Sequence, residues 1–136
     1  EYPRVEKVVV LIDADKKSRE DALRPLAGVA KKLAHLPVKV MLSCAQQHLE
    51  AWFFGDAVGL RKYLGRDLGE VNLKSPDHIE NPKLHLKNLL GDRRYTARVC
   101  EGIVAQLDPT RIQSASDSFQ EFTATVRNGS ATPLAG

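Results

Sequence analysis

A chain of 136 residues, 43% hydrophobic and 27% charged, holds enough apolar material for one globular domain and too much for a disordered chain. Its two cysteines, Cys44 and Cys100, are too few and too far apart for a disulfide framework or a zinc site, no apolar run approaches the ~20 residues that span a bilayer, and no signal peptide opens the chain. The net charge of +3 is spread along the sequence, so a polyanionic partner is allowed but not demanded, and a reduced, cytoplasmic setting is the expectation.

The sequence begins Glu1-Tyr2-Pro3 rather than with methionine and enters a core strand almost at once, which suggests a fragment of a longer protein. Val5 to Ile12 is dense in β-branched residues and continuously apolar, the pattern of a central strand buried on both faces of a parallel sheet. Ala22, Leu23, Leu26, Ala30, Leu33 and Ala34 then recur at helical spacing, with Lys31 and Lys32 turned outward. Pro25 falls inside that pattern, at a cost of about 3 kcal/mol in a helix interior, so the helix is expected to start near Arg24 or to kink there. Val38 to Ser43 completes a strand-helix-strand unit whose strands should run parallel through a right-handed crossover.

From there the chain turns helical. "HLEAWFF" puts Leu49, Trp52 and Phe53 on one face, and "DAVGLRKYLG" reads as a short helix ended by Gly65. After a loop, Asn81 and Pro82 punctuate the start of a helix that Gly91 closes. Val99, Cys100, Ile103, Val104 and Leu107 make a further stripe, broken at Asp108-Pro109, and Ser118 with Glu121 has the spacing of a capping box for "SFQEFTATV". Residues 128–136 read as a frayed tail. The expected fold is thus a single α/β, Rossmann-like domain over residues 1–127, a parallel sheet flanked by helices with a mostly helical C-terminal half.

The stretch "VVVLIDADKK" raises the functional question. Residues two apart in a strand project to one side, so Asp13 and Asp15 can point together over the carboxyl end of the sheet, where open α/β sheets bind ligands. Two carboxylates that close repel each other unless both face water or a divalent cation compensates them, and hard oxygen ligands favour magnesium or manganese. A solvated strand end explains the same residues equally well. Glu50, a few residues after the second strand, projects from the same edge as a third acid, or simply complements a helix dipole from the first turn. His35, His48, His78 and His85 lack the spacing of a metal motif, Ser118 lacks a nucleophile elbow, and no glycine-rich phosphate loop is present. Cys44 and Cys100 sit in apolar surroundings, where a thiol packs rather than reacts.

Four stretches taken together, "VVVLIDAD", "HLEAWFFGD", "ENPKLHLKNLL" and "SDSFQEF", resemble the DUF4276 family, a TOPRIM-like group of bacterial proteins often encoded beside ATPases of the chromosome-maintenance type. The resemblance extends from Val8 to about Val126. It implies a TOPRIM-like fold and magnesium- or manganese-dependent cleavage of nucleic acid, DNA first. It also implies an ABC/SMC-type ATPase partner, a role in anti-phage defence, no membrane attachment and room for a homodimer.

TOPRIM enzymes, the overcoming-lysogenization-defect nucleases among them, combine an N-terminal glutamate with a D-x-D pair to bind metal. Carried onto this chain, the pair matches Asp13 and Asp15, and the acid of the E-A-W motif matches Glu50, which looks like a ligand for a second ion. In such a two-metal arrangement, with ions roughly 4 Å apart, Lys83 of the N-P-K motif would neutralise charge building on the phosphate, and Lys16 and Lys17 would join it in contacting substrate. Read alone, Lys83 is equally a solvent-facing lysine in a helix's first turn. Two departures stand out. No strand ending in glutamate precedes Val8, and His48 stands where the family tends to carry an acid, so the first metal site is expected to be incomplete and the second altered.

Two other readings stay open. A non-catalytic subunit of the same fold, docking on the ATPase, accounts for the missing glutamate and for His48. Other enzymes also place D-x-D after an apolar strand: haloacid-dehalogenase phosphatases usually continue with Thr or Val where this chain has Lys16-Lys17, and sugar-nucleotide glycosyltransferases typically have a larger domain.

Overall fold

A computed structural model describes residues 4–70 and 75–128; the opening Glu1-Tyr2-Pro3 and tail residues 129–136 lie outside that range. The chain starts with β1 (Lys7–Asp13), α1 (Arg19–Lys32) and β2 (Lys39–Ala45). The strands are parallel, in register from Lys7 opposite Lys39 to Asp13 opposite Ala45. An intervening helix is what makes this possible, because parallel neighbours need a crossover to return the chain to the same end.

Among the described residues the sheet consists of these two strands. β1 is therefore not a central strand here, and Val8 on it stays 42% exposed. Continuous apolarity signals a preference for burial; how much cover the strand receives is set by its neighbours. Nor does α1 wait for Arg24. It begins at Arg19, because Ser18 Oγ accepts the Asp21 N–H at 3.1 Å and Glu20 and Asp21 occupy the electropositive first turn. Burial of Ala22 and Leu23 against the sheet anchors that turn, and Pro25 sits on the exposed side.

The remainder is helical: a 3-10 helix at Leu49–Gly55, α2 (Ala57–Leu64), a 3-10 turn at Pro76–His78, α3 (Pro82–Leu90), α4 (Ala97–Val104), α5 (Pro109–Ala115) and α6 (Asp117–Asn128). Gly65 ends α2 in the left-handed region, φ +67°, as the sequence led one to expect. Asn81 does precede α3, but it contributes a left-handed backbone rather than a side-chain cap. The largest core cluster joins Phe53 and Phe54 to Leu60, Leu86, Leu90 and Ile103, so the helices bury more apolar surface among themselves than against the sheet. No helix among the described residues is long and apolar enough to cross a membrane.

Two carboxylate hubs, Asp56 buried and Asp77 half-buried, lock this helical layer. Asp56 is 1% exposed and accepts N–H bonds from Gly59 at 3.1 Å and Asp108 at 2.8 Å and from the Arg111 guanidinium at 3.3 Å, tying α2 to α5. Asp77 accepts from Ser116 Oγ and Ser118 Oγ, both at 2.7 Å, and from Ser118 N at 2.9 Å. The cap of α6 is Ser116, whose Oγ takes the Phe119 N–H at 3.1 Å, two residues earlier than the capping box at Ser118 suggested. Ser118 serves elsewhere, accepting the Trp52 indole N–H at 2.8 Å while Trp52 packs on Phe119 and Phe122. Ser118→Ala removes both the indole's acceptor and one donor to Asp77, and should lower stability by about 1–2 kcal/mol with a shifted Trp52 fluorescence maximum. A urea midpoint equal to that of the parent chain would contradict this.

Candidate functional site

Asp13 ends β1, and Asp15 follows it in a left-handed turn outside the strand. Ala14 is 1% exposed while Asp13 and Asp15 on either side of it face solvent at the carboxyl end of β1. Asp13 Oδ1 accepts the Leu49 N–H at 2.7 Å, so the strand end also fastens the first turn of the 3-10 helix. Asp15 Oδ1 lies 3.2 Å from His48 Nε2, and its side chain is 71% exposed. His48 is bound at its other nitrogen too, where Nδ1 accepts the Lys83 N–H at 3.5 Å. An accepting Nδ1 leaves the ring proton on Nε2, so His48 donates to Asp15 and orients it.

The backbone around the pair is held in conformations that side chains disfavour. Asp15 (φ 48°), Lys16 (φ 70°) and Gln47 (φ 62°) all lie in the left-handed region. Each costs of order 1–3 kcal/mol unless its surroundings enforce it, and such residues gather at functional sites. Here they are enforced mutually: Asp15 N–H bonds Gln47 O at 2.8 Å, and Lys16 N–H bonds Gln47 Oε1 at 3.2 Å. Lys16 and Lys17 remain exposed beside the acids.

Glu50 lies elsewhere. The 3-10 helix buries Glu50, Ala51, Trp52, Phe53 and Phe54 in succession, leaving no solvent face for a first-turn glutamate. Its carboxylate turns to Lys83, Oε1 standing 3.7 Å from Nζ, while Oε2 is buried with no hydrogen-bond partner among the described residues. Lys83 is thus held by an acid rather than loose in solvent. Among the described residues no three His, Cys, Asp or Glu side chains stand close enough together to hold a metal ion. Asp13 and Asp15 do suit magnesium of the kind that keeps several waters and takes one or two carboxylates together with substrate phosphates, since Asp15 is open to solvent. A preformed cage recruiting Glu50 does not suit this arrangement.

Two clefts flank the edge. One, of about 360 Å³, is lined by Lys83, Lys87, Tyr95, Thr96, Ala97 and Cys100. Burial, the Cys100 thiol and the Glu50 charge push the Tyr95 phenol above its ordinary value, so it remains a protonated donor. The other, of about 550 Å³, carries Asp77, Glu80, Asp117 and Glu121 against a single guanidinium, Arg19, an arrangement that repels phosphate. Cys44 also borders it, but burial raises that thiol to about 11, in keeping with a packing role.

Gln47, Lys87 and Tyr95 are residues that sequence reasoning passed over, and His48 entered it only as a departure from the family pattern. For His48 a usable signal existed, its place between the end of the second strand and Glu50; for Tyr95 and Lys87 there was none, because only tertiary packing brings them to Lys83.

The fold and this edge define an α/β domain with an acidic pair on strained loops at the carboxyl end of a parallel sheet. More narrowly, the chain matches the family described as "Domain of unknown function (DUF4276)" over residues 2–127, and it belongs to that family. No curated protein and no solved structure matches it.

Proposed function

We propose that this domain is the metal-binding part of a TOPRIM-type nuclease that hydrolyses phosphodiester bonds in DNA, working with an ABC/SMC-type ATPase in bacterial anti-phage defence. The observation that carries the reading is the exposed Asp13 and Asp15, both bonded to the His48–Leu49 segment at the carboxyl end of β1, with Asp15 held in a left-handed turn. Magnesium or manganese, when bound there, would supply a Lewis acid and a water of lowered pKa. Asp13 and Asp15 would hold it, His48 fixes Asp15 in place, and Lys83, steadied by Glu50, presents positive charge toward a phosphate. Lys16 and Lys17 extend that charge along the rim.

A second reading has its own support. Glu50 faces Lys83 instead of the acidic pair, and no group of three ligands forms among the described residues, which favours a non-catalytic interaction subunit of the same fold. Purified protein incubated with supercoiled plasmid separates the two. Nicking that requires magnesium or manganese and stops with chelator is the expected result; intact plasmid at every metal concentration, with no metal binding by calorimetry, favours the interaction subunit.

A further inference from the structure

The edge of β1 that faces away from β2 is open, and its sequence is complementary to itself. In a parallel ladder alternate residues of a strand bond one neighbour, and the residues between them present N–H and C=O to the other side. The bonds that flank this ladder settle which are which: Ala14 N–H donates to Ala45 O at 2.9 Å and Lys39 N–H to Glu6 O at 3.0 Å, so the even-numbered residues of β1 face β2. Lys7, Val9, Leu11 and Asp13 turn their backbone groups outward, and among the described residues no strand meets them there. Such an edge is a template for another strand. Parallel sheets are ordinarily wider than two strands and covered on both faces. Here Val8 shares a face with Ile12, which packs with Ala22 and Leu23 of α1, yet Val8 is 42% exposed, and Val9 to Ile12 are only half-buried. The apolar run of β1 suits a central strand, and the single chain leaves it at the edge.

The sequence of β1, "KVVVLID", fits a second copy of itself. Across a two-fold axis the two edges meet antiparallel. With the axis at Val10, Val9 and the second copy's Leu11 form a hydrogen-bonded pair, since both carry outward backbone groups, Val8 meets Ile12, and Lys7 meets Asp13. Residues 7 and 13 share a face, so opposite charges come together at both ends of an apolar centre. A shift of two residues keeps the backbone parity but sets Lys7 against Leu11, or Asp13 against Val9, and loses that match. Each charged side chain is held in place by neutral groups of its own chain: Lys7 Nζ donates to the Thr125 and Val126 carbonyls, both at 2.6 Å, and Asp13 Oδ1 accepts the Leu49 N–H. Those bonds position the two charges without cancelling either.

We infer that two copies of this chain dimerise through β1, forming a four-stranded sheet in the order β2-β1-β1-β2 with Val10 at the two-fold axis. β1 then becomes the central strand that its apolar run suits, and each copy's Lys7 stands opposite the other's Asp13, so that a cation from the second copy borders each acidic edge. The inference is independent of the nuclease reading, because it uses only the open edge and the pattern of β1.

Sedimentation equilibrium tests the mass and engineered cysteines test the register. Val10→Cys puts two thiols at the axis, where a non-hydrogen-bonded antiparallel pair brings Cα atoms to about 4.5 Å, within the span of a disulfide. Under air oxidation it should yield a disulfide-linked dimer, whereas Val8→Cys, whose two copies lie about 14 Å apart along the strands, should not. Both are made with Cys100→Ser, which leaves the buried Cys44 as the one native thiol. Val8→Lys, at a position already exposed in the single chain, should keep the parent's circular dichroism and weaken dimerisation at least tenfold, as edge lysines do. Arg94→Ala, on the exposed link between α3 and α4, should leave the dimer unchanged. A monomer at every concentration overturns the inference. So does a dimer indifferent to Val8→Lys, which places the contact elsewhere, or a disulfide that forms as readily at Val8→Cys as at Val10→Cys, which excludes the register.

Discussion

Asp56→Ala should destabilise the domain by about 2–4 kcal/mol, from about 1–3 kcal/mol for each backbone donor left without its acceptor; Arg111, 53% exposed, keeps its access to water. The carboxylate caps α2 through the Gly59 N–H, accepts the Asp108 N–H at the start of α5 and meets Arg111, so its loss leaves the buried Gly59 N–H and the part-buried Asp108 N–H without their acceptor. A Cβ built on Gly59 would lie 2.2 Å from the Gln106 carbonyl oxygen and 2.7 Å from Asp56 Oδ2, which measures how tightly the first turn of α2 is pressed on the segment before α5. The expected readout is a lower urea midpoint with unchanged slope. A loss below about 1 kcal/mol would mean that the hub is dispensable.

The same residue gives the fold a defined acid sensitivity. Burial alone would raise the Asp56 pKa, but the N–H bonds from Asp108 and Gly59 and the Arg111 charge outweigh it, and the net shift is downward from 3.8. A carboxyl whose folded pKa lies below its unfolded one stabilises the fold fully above the unfolded value, and that contribution disappears as pH falls through the folded one. The parent protein should therefore lose stability steeply below about pH 4, and Asp56→Asn, less stable at neutral pH, should show a shallower acid limb.

What was legible in the sequence was the part governed by local chemistry. The parallel strand-helix-strand unit followed from β-branched runs flanking a helical stripe, and Gly65 and Gly91 ended their helices because a left-handed residue is needed there. Strand periodicity carried Asp13 to the end of β1 but not Asp15, which a left-handed turn places beyond the strand. Glu50 escaped the same logic: its neighbours read as one apolar stripe with a polar back, yet the segment is a 3-10 helix buried all round, and Lys83 from a distant helix compensates the charge. Ser118 was similarly misjudged. Its spacing from Glu121 suits a cap, but Asp77 and Trp52, 41 and 66 residues away in sequence, claim its hydroxyl, and Ser116 caps instead. Competition between a local partner and a remote one is decided by packing, which no window of sequence contains.

Asp15→Asn is the sharpest probe of the proposed chemistry because it removes little else. Asparagine tolerates the left-handed backbone that Asp15 adopts, φ 48°, and its amide oxygen can still accept the His48 Nε2–H. The loops should keep their shape, with stability within about 0.5 kcal/mol of the parent, as for other exposed substitutions. Only the negative charge is lost. Metal-dependent nicking should then fall about a hundredfold or more, the scale seen when a group aimed at developing charge is removed. Asp13→Ala is the less specific companion, since Asp13 also accepts the Leu49 N–H at 2.7 Å and its truncation should cost about 1 kcal/mol of stability as well. If the acids merely solvate a strand end, Asp15→Asn will cleave plasmid at the parent rate. If they carry the metal, activity will collapse while the melting curve stays in place, and rising magnesium will restore part of it by mass action on the weakened site.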